Sequence, residues 1–177
     1  VVPAAGGAER ARCPRDGNDL IIPAGPGLPV AAGAAWNHDM LVRDLRHWLL
    51  ADGFITSEAR YGSAWLSHAP IPDVLKIRKS YTRVDVQMFE VKVSRSDFQA
   101  EIRSGKWNDY IARSTRLSFA TPTDGVVNDE IEIPRPCGWI TRGRTGWRVR
   151  RAPEIRTIEP SYEEVLALRA RVAPEGV

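Results

Sequence analysis

The sequence predicts an α/β fold in which a mixed central sheet of about five or six strands is flanked by helices. Three observations carry that prediction. Two apolar runs, 73–79 and 83–94, are separated only by Ser80-Tyr81-Thr82, and so short a connection makes them an antiparallel pair. A helical stretch over 94–111 precedes a buried-strand run at 117–120, and a strand reached through a helix runs parallel to the one before it. The runs 137–141 and 147–150 flank Arg142-Gly143-Arg144-Thr145-Gly146 and read as a hairpin.

In chain order, residues 1–35 are rich in Pro, Gly and Ala, with only Leu20-Ile21-Ile22 able to pair as a strand, so they read as an arm. Asn37 is the expected N-cap of the first helix. Asp39 falls in its first turn, Met40, Leu41, Leu45, Trp48 and Leu49 make an apolar stripe, and Gly53 lies just past its end. His38 and His47 ride on this helix and read as surface or capping residues. Residues 54–60 form a first strand, followed by a loop holding Trp65 and His68. The antiparallel pair then places Asp73 near the level of Glu90, since both sit away from the turn. Ser94 or Ser96 caps the next helix, with Asp97 in its first turn and Phe98 and Ile102 inward. Ser104-Gly105 breaks that helix, and Trp107, Tyr110 and Ile111 resume the stripe. Pro122 ends the parallel strand.

Residues 123–136 hold Asp124, Asp129, Glu130 and Glu132 and read as a solvated loop with one short helical turn. In the hairpin, Arg148 and Arg150 share one face while Trp147 and Val149 share the other. Pro160 opens a last amphipathic helix through Tyr162, Val165, Leu166 and Arg169. The organisation is therefore an arm at 1–35, a domain at 36–153 and a helical extension at 154–177.

With 177 residues, 43% of them hydrophobic, the chain can build one domain with a sizeable core. No apolar stretch approaches the roughly 20 residues that cross a bilayer, and no continuous signal-peptide core is visible, so no membrane partner is expected. The sequence opens on Val1 rather than a methionine, and any signal upstream of it is unreadable. Cys13 and Cys137 have no Cys or His neighbours at metal spacing, which disfavours a zinc ribbon and suggests free thiols in a reducing, cytoplasmic setting. A formal charge of +3 permits an acidic partner without demanding one. Of the 25 basic residues only four are lysine, Lys76, Lys79, Lys92 and Lys106. A lysine beside a carboxylate in so arginine-rich a chain suggests that a compact ammonium is required there.

That lysine lies in Phe89-Glu90-Val91-Lys92-Val93-Ser94. Side chains alternate along a strand, so Phe89, Val91 and Val93 point one way while Glu90, Lys92 and Ser94 point the other. One face is expected to pack and the other to do chemistry, because charges inside a sheet are costly. The two charged groups lie about 7 Å apart along the strand, close enough to serve one metal, one water and one phosphate. Pro72-Asp73 can deliver a second carboxylate to the same spot. The bland alternative is a buried Glu90–Lys92 ion pair in an ordinary sheet, although such pairs rarely beat apolar residues energetically.

Pro-Asp, a hairpin's length of chain and then Glu-x-Lys resembles the PD-(D/E)xK nuclease superfamily, with Asp73, Glu90 and Lys92 at its signature positions. The stretch from Phe89 to Pro122 is similar to the block that follows the active site in the MmcB-type DNA repair nucleases. A Glu-x-Lys-x-Ser strand leads to Asp97-Phe98, then Lys106-Trp107 and Tyr110, then Phe119-Ala120-Thr121-Pro122. The similarity extends over about 36–151 and departs from the family at Ala69-Pro70-Ile71-Pro72-Asp73 and in a longer linker around Arg103-Ser104-Gly105.

The resemblance implies a restriction-endonuclease-like core and Mg²⁺- or Mn²⁺-dependent hydrolysis of DNA, in repair or in phage or mobile-element processing. It implies that Asp73 and Glu90 hold the metal with the Val91 carbonyl, that Lys92 steadies negative charge or serves the water, and that Glu58 adds a further acid. Carboxylate oxygens suit these hard cations. Lys106, Arg95, Arg148 and Arg150 are the candidate phosphate contacts. A non-catalytic DNA-binding or scaffolding module and an RNA-cleaving relative stay open, as does a homodimer.

Overall fold

The computed structural model describes residues 35–50, 54–57, 71–77, 85–123 and 125–158, with backbone alone at 54–57. The arm up to residue 34, Cys13, Glu58, Trp65, His68, Asp124 and the helix expected after Pro160 lie outside the described residues. The elements are α1 (His38–Leu49), β1 (Phe54–Ser57), β2 (Val74–Ile77), β3 (Val86–Val91), α2 (Arg95–Ser104), α3 (Trp107–Arg113), β4 (Arg116–Pro122), β5 (Gly138–Gly143) and β6 (Gly146–Arg151). Six strands form one sheet whose spatial order is the chain order. β1–β2, β2–β3 and β5–β6 pair antiparallel, and β3–β4 and β4–β5 pair parallel, so the sheet is mixed as the sequence predicts.

Local chemistry sets the helix ends. The Asn37 side chain accepts from the Met40 amide at 2.8 Å, and Asp39 in the first turn with Arg46 and His47 in the last complement the helix dipole. Ser94 caps α2 by accepting from the Asp97 amide at 3.2 Å, and Gly105, at φ 68°, ends it in the left-handed conformation that glycine adopts without a Cβ penalty.

Both faces of the sheet are covered. On one, Leu41, Leu45, Trp48 and Leu49 of α1 pack against Val74, Phe89, Val91, Ala120, Ile140 and Trp147, with Trp48 and Trp147 stacked at 5.8 Å. On the other, Phe98 and Tyr110 from α2 and α3 pack on Val86, Met88, Leu117 and Phe119, with Phe98 edge-on to Phe119 at 5.6 Å. This corrects the expectation that one face of β3 is left free for chemistry. The helices that carry the chain from β3 to the parallel β4 must cross that face, so Met88 is buried beneath them and only the end of the strand stays polar.

Two further expectations change. Residues 123–136 contain the short turn Glu130–Glu132, but Val126, Val127 and Ile133 are buried in the second core, so the segment is partly a lid on the sheet rather than a solvated loop. Arg142, expected in the hairpin turn, belongs to β5 and is buried. Its Nε donates to Asp44 of α1 at 2.6 Å, and Trp147 Nε1 donates to the same carboxylate at 2.7 Å. The turn itself is only Arg144-Thr145, and Val149 faces solvent rather than following Trp147 into the core.

Beyond β6 the chain stays on the domain. The Glu154 amide donates to the Pro136 carbonyl at 2.9 Å and the Arg156 amide to Thr115 at 3.0 Å. The Arg156 guanidinium donates to the carbonyls of Ile111 and Ser114 at the end of α3, and Ile158 packs against the second core. Among the described residues, no helix is long and apolar enough to cross a membrane.

Candidate active site

The β2–β3 ladder runs from Ile77↔Val86 to Val74↔Phe89 and there gives way to side-chain chemistry. Continued by one rung, that register brings Asp73 level with Glu90, as the hairpin reading expects. Pro72 precedes Asp73 and has no N–H to offer a ladder. The Asp73 carboxylate instead accepts the Val91 amide, Oδ2 to N 2.7 Å, while the Lys92 amide turns the other way and donates to the Ala120 carbonyl of β4 at 3.0 Å. Asp73 is thereby fixed at the end of β3, beside Glu90.

Glu90 and Lys92 project together toward α2, on the face opposite Phe89 and Val91. Lys92 Nζ lies 3.2 Å from Glu90 Oε2 and 3.4 Å from Glu101 Oε2, a bracket made by one carboxylate from the strand and one from the helix. Glu90 is 2% exposed and Glu101 7%, and in each the second oxygen, Oε1, has no hydrogen-bond partner. Tyr110 from α3 closes the inner side. Its hydroxyl donates to the Ile71 carbonyl at 3.2 Å and lies near enough to Glu90 to bond it instead, so one proton serves two acceptors.

Burial pushes the Glu90 carboxyl up to about 7, and the Asp73 carboxylate adds to the rise while Lys92 opposes it. Burial by itself would lower the Lys92 ammonium, but Glu90 and Glu101 outweigh it and the pKa rises. Burial, then Glu90, hold the Tyr110 hydroxyl well above its ordinary range. The site is therefore short of positive charge, which is the condition a bound cation relieves.

Of the residues singled out from sequence, Asp73, Glu90, Val91 and Lys92 come together here. Glu58 lies outside the described residues. Lys106 sits over the Tyr110 ring at 5.5 Å and so borders the site. Arg95 does not point freely outward: its Nη1 is engaged by the Glu132 carboxylate and donates to the Val126 carbonyl at 3.1 Å, tying the 123–136 segment to α2. Arg148 and Arg150 are exposed on β6, three strand spacings or about 14 Å across the sheet from β3, with Arg150 6.0 Å above the Trp139 ring. Cys137 is buried as a free thiol, pushed up to about 12 by burial, and is unreactive there.

Two further neighbours belong to the site that the sequence motifs do not single out. His38, which reads as a capping or surface residue, places Nε2 3.2 Å from Asp73 Oδ1 and Nδ1 3.5 Å from Asp39. Glu101 lies in no motif. Its signal is in the helical stripe, since it falls between Phe98 and Ile102 on the inward side of α2, where an acid needs a partner.

The donors present suit a hard divalent cation. Asp73 and Glu90 supply carboxylate oxygens, and Glu90 Oε1 makes no hydrogen bond, which leaves it open to a cation. Among the described residues no group of three His, Cys, Asp or Glu side chains is arranged to hold a metal, so the set amounts to two carboxylates with water and backbone to complete it, as Mg²⁺ accepts.

Known proteins add the fold alone. No protein-family model matches the chain, and no curated protein is significantly similar to it. Among solved structures, a protein of unknown function from Silicibacter pomeroyi is similar with a TM-score of 0.55 at 21% identity, over 73% of this chain and 79% of that one. The class that fold and site define is an α/β protein with two acids and an ammonium converging at the end of the central strand.

Proposed function

We propose that this chain is a metal-dependent nuclease of the PD-(D/E)xK type with a restriction-endonuclease-like core, hydrolysing phosphodiester bonds in DNA. The observation that carries the reading is the convergence of Asp73, Glu90 and Lys92 at the end of β3, with Asp73 locked there by the Val91 amide. Two acids and an amine in one part-buried spot, with Glu90 fully buried, are costly to fold and gain their rationale from a cation and a phosphate.

In this reading Asp73 and Glu90 hold Mg²⁺ or Mn²⁺, with the Val91 carbonyl as a further ligand. When bound, the ion supplies charge relief on the phosphate and a more acidic water. Glu90 has to be ionised for this role, so uptake of the cation displaces its proton. Lys92 keeps its proton because its neighbours raise its pKa, so it steadies the charge growing on phosphate oxygens rather than acting as a base. Lys106 at the rim and Arg148 with Arg150 further along the sheet are the proposed phosphate contacts. A cytoplasmic setting goes with the buried free Cys137.

The test is cleavage of single-stranded, duplex, flapped and branched DNA, with RNA counterparts, in the presence and absence of Mn²⁺. Metal-dependent cleavage that disappears in Glu90→Ala and Lys92→Ala is the expected result. Binding of DNA that is equal with and without metal, and no nicking, would instead make the chain a non-catalytic DNA-binding module.

A further inference from the structure

We propose that Glu101 is the positioning residue that keeps Lys92 in place once Glu90 is given over to the cation. The inference rests on the nuclease reading and names a residue that reading does not need in order to be stated. It begins with burial. Glu101 is 7% exposed on the inward side of α2, beside Phe98, in a stripe where an aliphatic residue would pack at no electrostatic cost. It lies in the middle of the helix, beyond the first turn where the dipole favours acids. Its carboxylate contacts Lys92 Nζ at 3.4 Å, and its second oxygen finds no donor.

Lys92 already has Glu90 at 3.2 Å, so in the cation-free protein one ammonium is shared by two buried acids. With all three carboxyls ionised, Asp73, Glu90 and Glu101 set three negative charges against the one positive charge of Lys92, an excess that a divalent ion neutralises. Asp73 and Glu90 then match the ion, and Glu101 matches Lys92. Without Glu101, a Lys92 deprived of Glu90 would be a part-buried ammonium on a flexible stem that had lost both carboxylates it touches, and it would either compete with the cation for Glu90 or swing out of place. α2 is well suited to hold the acid. Ser94 caps it two residues after Lys92, so strand and helix share one rigid corner.

The chain's four lysines make the ammonium groups directly observable by ¹⁵Nζ nuclear magnetic resonance, in which only a hydrogen-bonded, slowly exchanging NH₃⁺ gives a signal. In metal-free protein Glu90→Ala should retain the Lys92 signal, because Glu101 holds it, and Glu90→Ala with Glu101→Ala, which leaves neither acceptor, should lose it. A signal that is lost in the single variant, or persists in the double, overturns the inference. In the Mg²⁺-loaded protein the wild type should keep the signal and Glu101→Ala should lose it. In cleavage assays Glu101→Gln should lower kcat about tenfold or more with KM for DNA unchanged, as expected for a misplaced group acting at the transition state, and wild-type kcat would overturn the positioning role. The failures are separable. If wild type neither binds Mg²⁺ nor cleaves DNA, the nuclease reading falls, while the metal-free pair of variants still decides whether Glu101 holds Lys92.

Discussion

The Asp73 carboxylate takes the Val91 amide at 2.7 Å, standing where the next rung of the β2–β3 ladder would have offered a main-chain acceptor. One side chain thus serves the fold and, in the proposed reading, the chemistry, and substitution can separate the two. Asp73→Asn keeps an oxygen for Val91 and should fold normally while losing cleavage by about 100-fold or more. Asp73→Ala strands the amide and should also lose about 1–3 kcal/mol of stability in urea denaturation. Equal stability of the Asn and Ala variants would show that the amide bond contributes nothing.

Glu90 makes stability depend on pH in the metal-free protein. Its folded-state pKa is about 7 against an ordinary 4.5, so between these values the folded state holds a proton that the unfolded state has lost. Stability therefore falls as pH rises through that window and stays reduced above it. Glu90→Gln removes the penalty and should be more stable than wild type at about pH 8, by an amount on the order of 3 kcal/mol, with the difference vanishing near pH 4. Urea titrations in chelator across that range check it, and parallel curves for the two proteins would contradict it.

Asp44 is the acceptor through which α1 holds the β5–β6 hairpin. Asp44→Ala removes a carboxylate from the buried Arg142 guanidinium and from Trp147 Nε1, and should cost about 3–5 kcal/mol, a large part of a domain's stability. Thermal unfolding followed by tryptophan fluorescence measures it. A loss under 1 kcal/mol would mean that the pair is replaceable at little cost.

The arginines divide by role. Arg148→Ala with Arg150→Ala should weaken DNA binding and flatten its salt dependence, by about 0.9 in slope for every phosphate no longer neutralised, without changing stability. An unchanged slope removes β6 from the interface. Arg95→Ala should do the reverse, because its guanidinium is occupied by Glu132 and Val126: stability falls by about 1 kcal/mol and the salt slope is unaltered.

What can be read from the sequence is what local chemistry decides. Asn37 and Ser94 announce helix starts because their side chains bond amides three residues on, and the nearness in sequence of β2 and β3 announces an antiparallel pair, whose register puts Asp73 level with Glu90. What cannot be read depends on how a helix lies on the sheet. Glu101 reaches Lys92 only because α2 folds back across β3, and His38 reaches Asp73 only because α1 starts beside the beginning of β2. Arg142 reads as a turn residue because its partner, Asp44, is 98 positions away. No spacing rule marks such a pair. An isolated acid in an apolar stripe, as at Glu101 and Asp44, is the one local sign of each.

The grip of Arg156 on the last carbonyls of α3 bears on how the protein is best shortened for laboratory work. A version trimmed at the end of β6 would leave the Ile111 and Ser114 carbonyls without that guanidinium and uncover the surface under Ile158. Fraying would begin at α3, the helix that carries Tyr110, so a seemingly harmless tail deletion would disturb the surroundings of Glu90.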